Sequence, residues 1–254
     1  MRRRICPGLL SQEVFMADLS GGYGVMSLAI IPDGNRRWAR KRGLPVIAGH
    51  RKGAAVLKEI CRACSKRGVK YVTFYAFSTE NWNRQKKEVS GLMKLFSGLL
   101  RDYEKELGDD KASVRIRVIG DRSILPADLV EGIERVEKAT EMSEGLNVLI
   151  AINYGSRSEI LSAVRRISGD VCDGILKPGE ITEETISNAL YTAGVPDPDL
   201  LIRTSGEMRI SNFLLWQIAY SELYFADCFW PDFDENELDK AFEAFASRRR
   251  RYGK

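Results

Sequence analysis

The sequence predicts an α/β fold: a single domain built on a mostly parallel six-stranded sheet that is covered by helices. Short apolar segments alternate with longer amphipathic segments, which is the rhythm of repeated strand–helix units. No internal repeat, low-complexity stretch or linker divides the 254 residues. We therefore predict one domain over residues 26–254, preceded by a flexible leader of residues 1–25 that shows no clear period.

The composition is that of an ordinary globular protein and argues against several other classes. Hydrophobic residues make up 44% of the chain and charged residues 29%. The net charge of +4 suits an anionic ligand but is too small to predict nucleic-acid binding. No apolar run reaches the roughly 18 residues that a membrane span needs. Five scattered cysteines do not make a disulfide framework, so a cytoplasmic location is expected.

The first half of the chain predicts two buried strands, each followed by helix. The apolar run Leu28–Ile31 is typical of a strand and stops at a proline. Helices are predicted over residues 36–42 and 49–67, and Gly68 ends the second. Tyr71–Phe77 is rich in β-branched and aromatic residues, which predicts a central strand buried on both faces.

A C-x-x-C pair, Cys61 and Cys64, lies inside the second predicted helix. No second pair accompanies it, and His50 is the chain's only histidine. Small core residues are therefore favoured over a metal or redox site.

The most periodic segment, Lys86–Leu107, predicts an amphipathic helix of about six turns. Its apolar residues fall at helical spacing: Val89, Leu92, Met93, Phe96, Leu99, Leu100 and Tyr103. This face suits two roles, plain core packing or one wall of a hydrophobic tunnel against the sheet, with Ala76 near the tunnel mouth.

The second half continues the alternation of strands and helices. Arg115 and Arg117 alternate with apolar residues in the third strand, which places that strand near an edge or half exposed. Strands are predicted over residues 114–119, 146–152, 200–202 and 223–225, and helices over 126–142, 156–168, 182–191 and 235–250.

Polar clusters directly follow four of the six predicted strands. They are Asp33–Trp38, Ser78–Arg84, Asn153–Gly155 and Arg203–Ser211. Ligands of parallel α/β sheets bind at the carboxyl ends of the strands, so we expect these clusters to converge. Considered alone, the first cluster is explained better by a solvated turn with a helix-capping aspartate. The convergence favours a binding site over that reading.

The charges in these clusters predict a polyanionic ligand. Several arginines at one end of a sheet repel one another unless anions bind between them. One phosphate rarely needs four arginines, whereas two diphosphates could use them. A carboxylate, Asp33, repels phosphate unless a cation such as Mg²⁺ lies between them. Together with the apolar helix face, the pattern predicts a ligand with a polyanionic head and a hydrocarbon tail. The usual nucleotide-binding loops are absent from the sequence.

Five motifs, in this order, resemble those of the cis-prenyltransferase family and in particular its bacterial undecaprenyl diphosphate synthases. They are IIPDGNRRWARKRG, AGHRKG, YAFSTENWNR, NYGSRSEI and LIRTSGEMRISNFLLWQIAYSELYF. The resemblance runs from about Met26 to the C-terminus and does not cover the leader.

The resemblance implies a Mg²⁺-dependent condensation of isopentenyl diphosphate with an allylic diphosphate, each new double bond being cis. Farnesyl diphosphate is the expected primer, and undecaprenyl diphosphate, the lipid-carrier precursor for cell-wall glycan synthesis, is an expected product. The family also implies a homodimer that touches the inner face of the membrane through its lipid product.

Site roles follow from the resemblance by position. Asp33 corresponds to the essential catalytic residue and a Mg²⁺ ligand, Asn81 to the position assigned as proton acceptor, and Glu222 to a second metal ligand. Because an amide is a weak base, we expect Asn81 to orient a phosphate oxygen or water instead. The residues expected to bind substrate are Gly34, Asn35, Arg36, Arg37, Trp38, His50, Ser78, Thr79, Glu80, Trp82, Arg84, Arg203, Arg209, Ile210, Ser211, Arg251 and Gly253.

The sequence departs from the bacterial pattern at three positions. Arg36 stands where many bacterial members have glycine, Met208 where close relatives have histidine, and Val46 where some members have a phosphate-binding arginine. Either Arg36 or Arg42 is a candidate to supply the missing charge.

Two other functions remain open at this stage. A non-catalytic partner subunit of a prenyltransferase is one; such subunits typically lose the aspartate of the first motif and the E-N-W, all of which are present here. A hydrolase of prenyl diphosphates is the other, although the sequence offers no nucleophile and base arranged for it.

Overall fold

The computed structural model describes residues 23–106 and 114–248 and confirms the predicted fold class. Six strands form one sheet: β1 (Ser27–Ile31), β2 (Tyr71–Ser78), β3 (Val114–Ile119), β4 (Leu146–Tyr154), β5 (Leu200–Arg203) and β6 (Glu222–Phe225). All five strand pairings are parallel, in the order β3-β4-β2-β1-β5-β6. As predicted, β2 is central and β3 lies at an edge.

Seven α-helices in the described residues connect and cover the strands. They are α1 (Asn35–Lys41), α2 (Val46–Lys66), α3 (Lys86–Glu106), α4 (Ala127–Thr140), α5 (Ser156–Cys172), α6 (Glu183–Ser187) and α7 (Glu235–Ser247). Short 3-10 helices lie at Thr79–Asn83, Pro178–Glu180 and Trp230–Asp232. The four strands that the polar clusters follow, β4, β2, β1 and β5, are neighbours in the sheet, so those clusters leave one continuous edge.

Both faces of the sheet are buried because side chains alternate along each strand. In β1, Leu28 and Ile30 join the core formed with α2 and α7, whereas Ala29 and Ile31 join a core on the other face. A third cluster packs α3 and α4 against Phe77 and the end of β4. This two-sided burial explains why the strands read as continuous apolar runs.

The edge strand β3 is closed by side chains of α4. The N–H groups of Ile116 and Val118 donate to Thr140 Oγ1 (3.1 Å) and Glu137 Oε1 (2.7 Å). Arg122 donates to the carbonyl of Val118 (2.9 Å) and to Glu137 (2.6 Å). These bonds take up backbone groups that would otherwise be free to pair with another strand.

The predicted leader lies mostly outside the described residues. Of its last three residues, Tyr23 packs its ring against Phe242 of α7 (centroids 5.5 Å apart) and Val25 is buried in the core. The division at Met26 otherwise stays a prediction.

The largest departure from the predicted elements is α6. A helix was expected over residues 182–191, but α6 ends at Ser187. Beyond it the backbone tightens into i→i+3 bonds, from Ala189 to Ile186 and from Leu190 to Ser187. The Arg166 guanidinium donates to the carbonyl of Asn188 (2.7 Å). In a continuing helix, that carbonyl would instead accept from a backbone N–H of the next turn.

Smaller shifts affect other ends. Helix α2 begins at Val46, three residues early, because Pro45 suits the residue before a first turn. Helix α5 continues to Cys172, and the terminal helix ends at Ser247 rather than at residue 250.

An apolar cavity of about 560 Å³ lies between α2, α3 and the sheet, where the sequence predicts a tunnel. Pro32, Asn35 and His50 line the end next to Asp33, and Tyr103 and Val114 line the far end. The wall between is mostly aliphatic and includes Ala54, Leu57, Ala76, Leu92, Leu95, Phe96, Leu99, Leu100, Ile150 and Ile152. Part of the α3 face is therefore core and part is cavity wall.

The two cysteines of the C-x-x-C pair are buried core residues of α2, as predicted. In residues 23–106 and 114–248, no three His, Cys, Asp or Glu side chains group closely enough to hold a metal by themselves. The same part of the chain contains no helix long and apolar enough to cross a membrane.

Helices α1 and α2 approach so closely that glycine is required between them. A Cβ at Gly49 would lie 2.0 Å from the carbonyl oxygen of Asn35, and one at Gly53 would lie 2.3 Å from Asn35 Oδ1. The contact fixes the position of α1, which carries Arg36 and Arg37 of the first motif.

We expect Gly49→Ala to lower the free energy of unfolding by about 1–3 kcal/mol, because an added methyl cannot fit against the Asn35 carbonyl. Gly98→Ala, also within a helix, is the matched control: its Cβ meets nothing within 4 Å. That exchange should raise stability by about 0.5–1 kcal/mol. Urea unfolding of both variants measures the difference, and equal effects would contradict the close approach.

Candidate active site

Asp33 lies just past the carboxyl end of β1, and three donors hold its main chain. Its carbonyl oxygen accepts from Thr204 Oγ1 (2.7 Å), Ser205 Oγ (2.9 Å) and the Trp230 N–H (2.9 Å). Gly34 follows with φ +104°, and a Cβ there would lie 2.2 Å from Ser205 Oγ. Only glycine allows this turn, which ties the loop after β1 to the loop after β5.

The Asp33 carboxylate is surrounded by hydrogen-bond donors and positive charge. Oδ2 accepts from Arg203 Nη2 (2.9 Å), Oδ1 accepts from the Gly34 N–H (2.6 Å), and Arg37 Nη2 lies 3.4 Å from Oδ1. Burial opposes ionisation, but the bond and charge of Arg203 and the charge of Arg37 outweigh it, so the pKa of Asp33 is lowered. The group is a carboxylate at neutral pH.

Arg203 is a buried hub at the end of β5, with 4% of its side chain exposed. Besides Asp33, it donates to the Arg209 carbonyl (2.5 Å) and to Ser211 Oγ (2.8 Å). Glu207 ion-pairs with Arg37 (2.7 Å) and with Arg209. We call Asp33, Arg37, Arg203, Glu207 and Arg209 the Arg203 cluster. It holds three guanidinium groups against two carboxylates.

The loop that carries Arg209 and Ser211 is tightly wound. Ser205, Ser211, Asn212 and Leu214 all have positive φ between 48° and 79°. Asn212 compensates for its own strain by donating to Glu80 Oε1 (3.0 Å) and accepting from the Arg157 N–H (2.9 Å).

A second group of charges lies where the loop after β2 meets α1 and α3. Glu88 Oε1 lies 3.2 Å from Arg84 Nη1 and 3.5 Å from Arg36 Nε. Burial, then the charges of Arg84 and Arg36, lower the pKa of His50 to about 4. We call Arg36, His50, Arg84 and Glu88 the Arg84 cluster. Its two guanidinium groups face one carboxylate, with a neutral imidazole beside them.

The turn between β2 and α3 is held by its own side chains. Asn81 Oδ1 accepts from the Ser78 N–H (3.1 Å), and the Ser78 side chain closes the reciprocal capping bond. Thr79 packs on Gly155, where an added Cβ would lie 2.7 Å from its hydroxyl oxygen. The Trp82 N–H donates to Asn153 Oδ1 (2.8 Å). In this geometry Asn81 shapes the turn.

Trp38 of α1 and Arg42, the residue that follows α1, point toward the Trp230–Asp232 turn. The Trp38 N–H donates to Asp232 Oδ1 (2.7 Å), and the Arg42 guanidinium stacks 4.3 Å above the Trp38 ring while bonding Asp232. Of the two candidate arginines for the charge missing at Val46, it is therefore Arg36 that lies with the site's other cations.

Other predicted residues have supporting positions. Asn35 donates to the Pro32 carbonyl (3.1 Å), while its own Oδ1 is buried without a hydrogen-bond partner. Ile210 packs against the core on the opposite face of the sheet from α2.

Glu222 does not lie with Asp33. It is the first residue of β6 and pairs in register with Leu200, at the amino ends of the strands, whereas Asp33 lies beyond the carboxyl ends. Its carboxylate is ion-paired with Arg248 (2.7 Å). Within one chain, the structure does not form the Asp33–Glu222 ligand pair. Arg251 and Gly253 lie outside the described residues.

The donor set at Asp33 fits Mg²⁺ that is shared with a ligand. Mg²⁺ typically binds one or two carboxylates together with substrate phosphates and water, not a closed protein cage. One lowered-pKa carboxylate beside several arginines matches that pattern. Asp33, with 30% of its side chain exposed, is the residue that would hold the ion.

Sequence reasoning missed Glu88, Asn212 and Glu159. The first had a readable signal: it lies four residues after Arg84, at the spacing of a helical ion pair. Glu159, buried in α5, accepts from the Tyr154 hydroxyl and from the Tyr191 N–H (2.8 Å). Burial raises its pKa. No local pattern in the sequence predicts these hydrogen bonds of Glu159.

Known proteins resemble this chain over most of its length. A family model described as "Putative undecaprenyl diphosphate synthase" matches residues 31–253. The isoprenyl transferase of Brucella suis is 52% identical over 226 residues, 89% of this chain and 88% of the relative. The isoprenyl transferase of Bacillus cereus is 48% identical over 243 residues, 96% of this chain and 93% of the relative.

Two solved structures share the fold. Lavandulyl diphosphate synthase from Lavandula x intermedia, in complex with dimethylallyl diphosphate, gives a TM-score of 0.87 at 39% identity. A probable undecaprenyl diphosphate synthase from Campylobacter jejuni gives 0.74 at 32% identity. Each match covers 91% of this chain and 99% of the other.

Because His50 is the only histidine, its titration is directly measurable. We expect its ring proton resonances to titrate near pH 4, not near 6.5. The unfolded chain binds this proton below about pH 6.5 and the folded chain only below about 4, so stability falls as pH drops through that window, by about 3 kcal/mol in all. His50→Gln should remove this part of the pH dependence. A midpoint above 6 would contradict the burial of His50 among cations.

Proposed function

The chain belongs to the undecaprenyl diphosphate synthase family of cis-prenyltransferases, and from this premise we propose that it extends farnesyl diphosphate with isopentenyl diphosphate. The proposed product is a cis-polyprenyl diphosphate such as undecaprenyl diphosphate, the lipid-carrier precursor for cell-wall glycan synthesis. One observation carries the proposal: a carboxylate and two arginine clusters stand at one end of an apolar cavity.

The Arg84 cluster is the proposed site of the allylic diphosphate. Arg36 Nε and His50 Nε2 are buried without hydrogen-bond partners, so donor positions are open to a phosphate oxygen. His50 and Asn35 line the end of the apolar cavity that lies next to this cluster. A diphosphate held there would direct its hydrocarbon chain along the cavity. The dimethylallyl diphosphate held by the lavandulyl diphosphate synthase structure supports an allylic diphosphate as ligand.

The Arg203 cluster is the proposed site of isopentenyl diphosphate. Arg209 is largely exposed and its guanidinium is held only by Glu207 among the described contacts, so it is placed to reach an incoming phosphate. Arg203 fixes the loop that carries Arg209 and Ser211 by donating to the Arg209 carbonyl and to Ser211 Oγ. Arg36 of one cluster and Arg37 of the other are consecutive residues of α1, so the two proposed diphosphate sites are neighbours.

The reaction breaks the allylic C–O bond and joins that carbon to the terminal alkene carbon of isopentenyl diphosphate. Diphosphate leaves with the electron pair, and arginines at fixed positions stabilise the charge that develops on it. A bound Mg²⁺, held through Asp33, would supply further neutralisation of that leaving group. The apolar cavity excludes water from the carbon centre.

The last step removes a proton from the isopentenyl unit. Asn81 already accepts the Ser78 N–H, and an amide is a weak base. We therefore assign the proton to a phosphate oxygen or water. Asn81 would contribute by holding the turn that carries Ser78, Thr79 and Glu80 beside the reacting carbons.

A cytoplasmic homodimer with peripheral membrane contact is the proposed working form. Glu222 lies at the opposite ends of the strands from Asp33, so it would not share a metal ion with Asp33 of its own chain. Its family position as a metal ligand is therefore consistent with a dimer, in which it would serve the other chain's site. Arg251 and Gly253 would contact substrate from the C-terminus. A lipid product leaving the cavity calls for a nearby membrane surface.

Incubation with radiolabelled isopentenyl diphosphate, farnesyl diphosphate and Mg²⁺ tests the proposal. Label should move into butanol-soluble products of increasing length, sized by chromatography. Release of phosphate without chain growth would identify a hydrolase of prenyl diphosphates. Binding without product by the purified chain would identify a non-catalytic partner subunit, against which the presence of Asp33 and Glu80-Asn81-Trp82 argues.

We expect Asp33→Ala to lower turnover by at least about 10³-fold while the far-ultraviolet circular dichroism stays unchanged, since the carboxylate that holds the ion is lost. Asp173→Ala is the control, because Asp173 is an exposed aspartate at the end of α5. Near-normal product formation by Asp33→Ala would sink the mechanism.

We expect Leu99→Trp to shorten the products. Leu99 lines the cavity beyond its midpoint, and a larger ring takes up space that the growing chain needs. Leu161→Trp, on the exposed face of α5, should leave the product lengths unchanged. Unaltered products from both variants would show that the chain grows elsewhere.

A further inference from the structure

Glu88 occupies a position that the diphosphate chemistry does not require. It lies in the first turn of α3, with 11% of its side chain exposed, at the meeting point of α1, α3 and the loop after β2. One oxygen, Oε1, serves both Arg84 (3.2 Å) and Arg36 (3.5 Å). A carboxylate here reduces the positive charge of a site that otherwise favours anions.

The contacts of Glu88 leave nearby hydrogen-bond donors without partners, which favours its replacement by another anion. Arg36 Nε and Glu88 form an ion pair without hydrogen-bond geometry. The buried Arg36 Nε–H therefore lies near the negative charge of Glu88 but makes no hydrogen bond. His50 Nε2 nearby is also buried without a partner. A group with more oxygens than one carboxylate would satisfy donors that Glu88 leaves open.

We propose that Glu88 is an internal counter-ion, which holds Arg36 and Arg84 together when no diphosphate is bound and competes with a phosphate group for the same two guanidinium groups. The proposal rests on the proposed function, because it takes the Arg84 cluster as a diphosphate site. Glu88 is thus a positioning residue that keeps the arginines close and limits how tightly pyrophosphate is retained.

The local backbone supports this role. The amino end of α3 favours negative charge, so it stabilises Glu88 and would equally stabilise a phosphate. Without a counter-ion, two guanidinium groups close to one carboxylate position would repel each other. A permanent carboxylate at that position costs affinity, and it allows the diphosphate released by the reaction to leave.

The experiment measures inorganic pyrophosphate binding by calorimetry and steady-state kinetics for the wild-type chain and Glu88→Gln. We expect the Kd for pyrophosphate to fall at least about fivefold in Glu88→Gln, because one nearby negative charge is removed. The KM for the allylic diphosphate should fall by a similar factor. The kcat should also fall, because pyrophosphate leaves more slowly.

Glu104→Gln is the matched control. Glu104 lies on the same helix and pairs with Arg135 (3.2 Å), away from both clusters. It should leave the Kd and both kinetic constants unchanged. Arg36→Gly tests the coupling: in that background, Glu88→Gln should tighten pyrophosphate binding by a clearly smaller factor.

A merely structural Glu88 predicts the opposite result. If Glu88→Gln weakens or does not alter pyrophosphate binding while the wild-type chain elongates its primer, the counter-ion proposal is wrong and the proposed function stands. If the wild-type chain neither binds pyrophosphate nor elongates, the proposed function fails first. Should Glu88→Gln not fold, Glu88→Asp keeps the charge but withdraws it by one methylene, and must still tighten binding for the proposal to hold.

Discussion

The contact between Asp33 and Arg203 is the interaction on which the site depends. It joins the ends of two neighbouring strands, β1 and β5, and sets one nearly buried guanidinium against a partly exposed carboxylate. Burying such a pair is costly unless further hydrogen bonds complete it. Here they do, since Arg203 also holds the loop of Ser211 and the Asp33 main chain is fixed by three donors. The loops after β1 and β5 are therefore one unit.

Much of the fold was predictable because its signals are local. Two-sided burial made β2 recognisable as central, and alternating arginines marked β3 as an edge. The end of α6 was not predictable, because a distant side chain, Arg166, competes for its backbone. The site divides in the same way: motifs predicted which residues gather at the strand ends. Only packing determined that Arg42 stacks on Trp38 while Arg36 turns toward the other cations.

The geometry separates the demands of the two ends of a prenyl diphosphate. Charged groups are concentrated at the carboxyl edge of the sheet, where loops can place arginines in water-accessible positions. The hydrocarbon wall lies against the middle of the sheet and is made from the same side chains that would otherwise complete the core under α3. The fold thus forgoes some packing density beneath one helix and gains a space for an apolar chain.

The closed edge of β3 has a consequence for how the sequence can vary. Glu137 is half-exposed on a surface helix and looks free to change, yet it accepts from the Val118 N–H and from Arg122. A neutral, shorter side chain there would leave the folded monomer intact but uncover a strand edge. Mutational libraries scored on dilute protein would register such a change as silent. The substitution would show its effect at high protein concentration or during high-level expression, as self-association through the newly exposed strand edge.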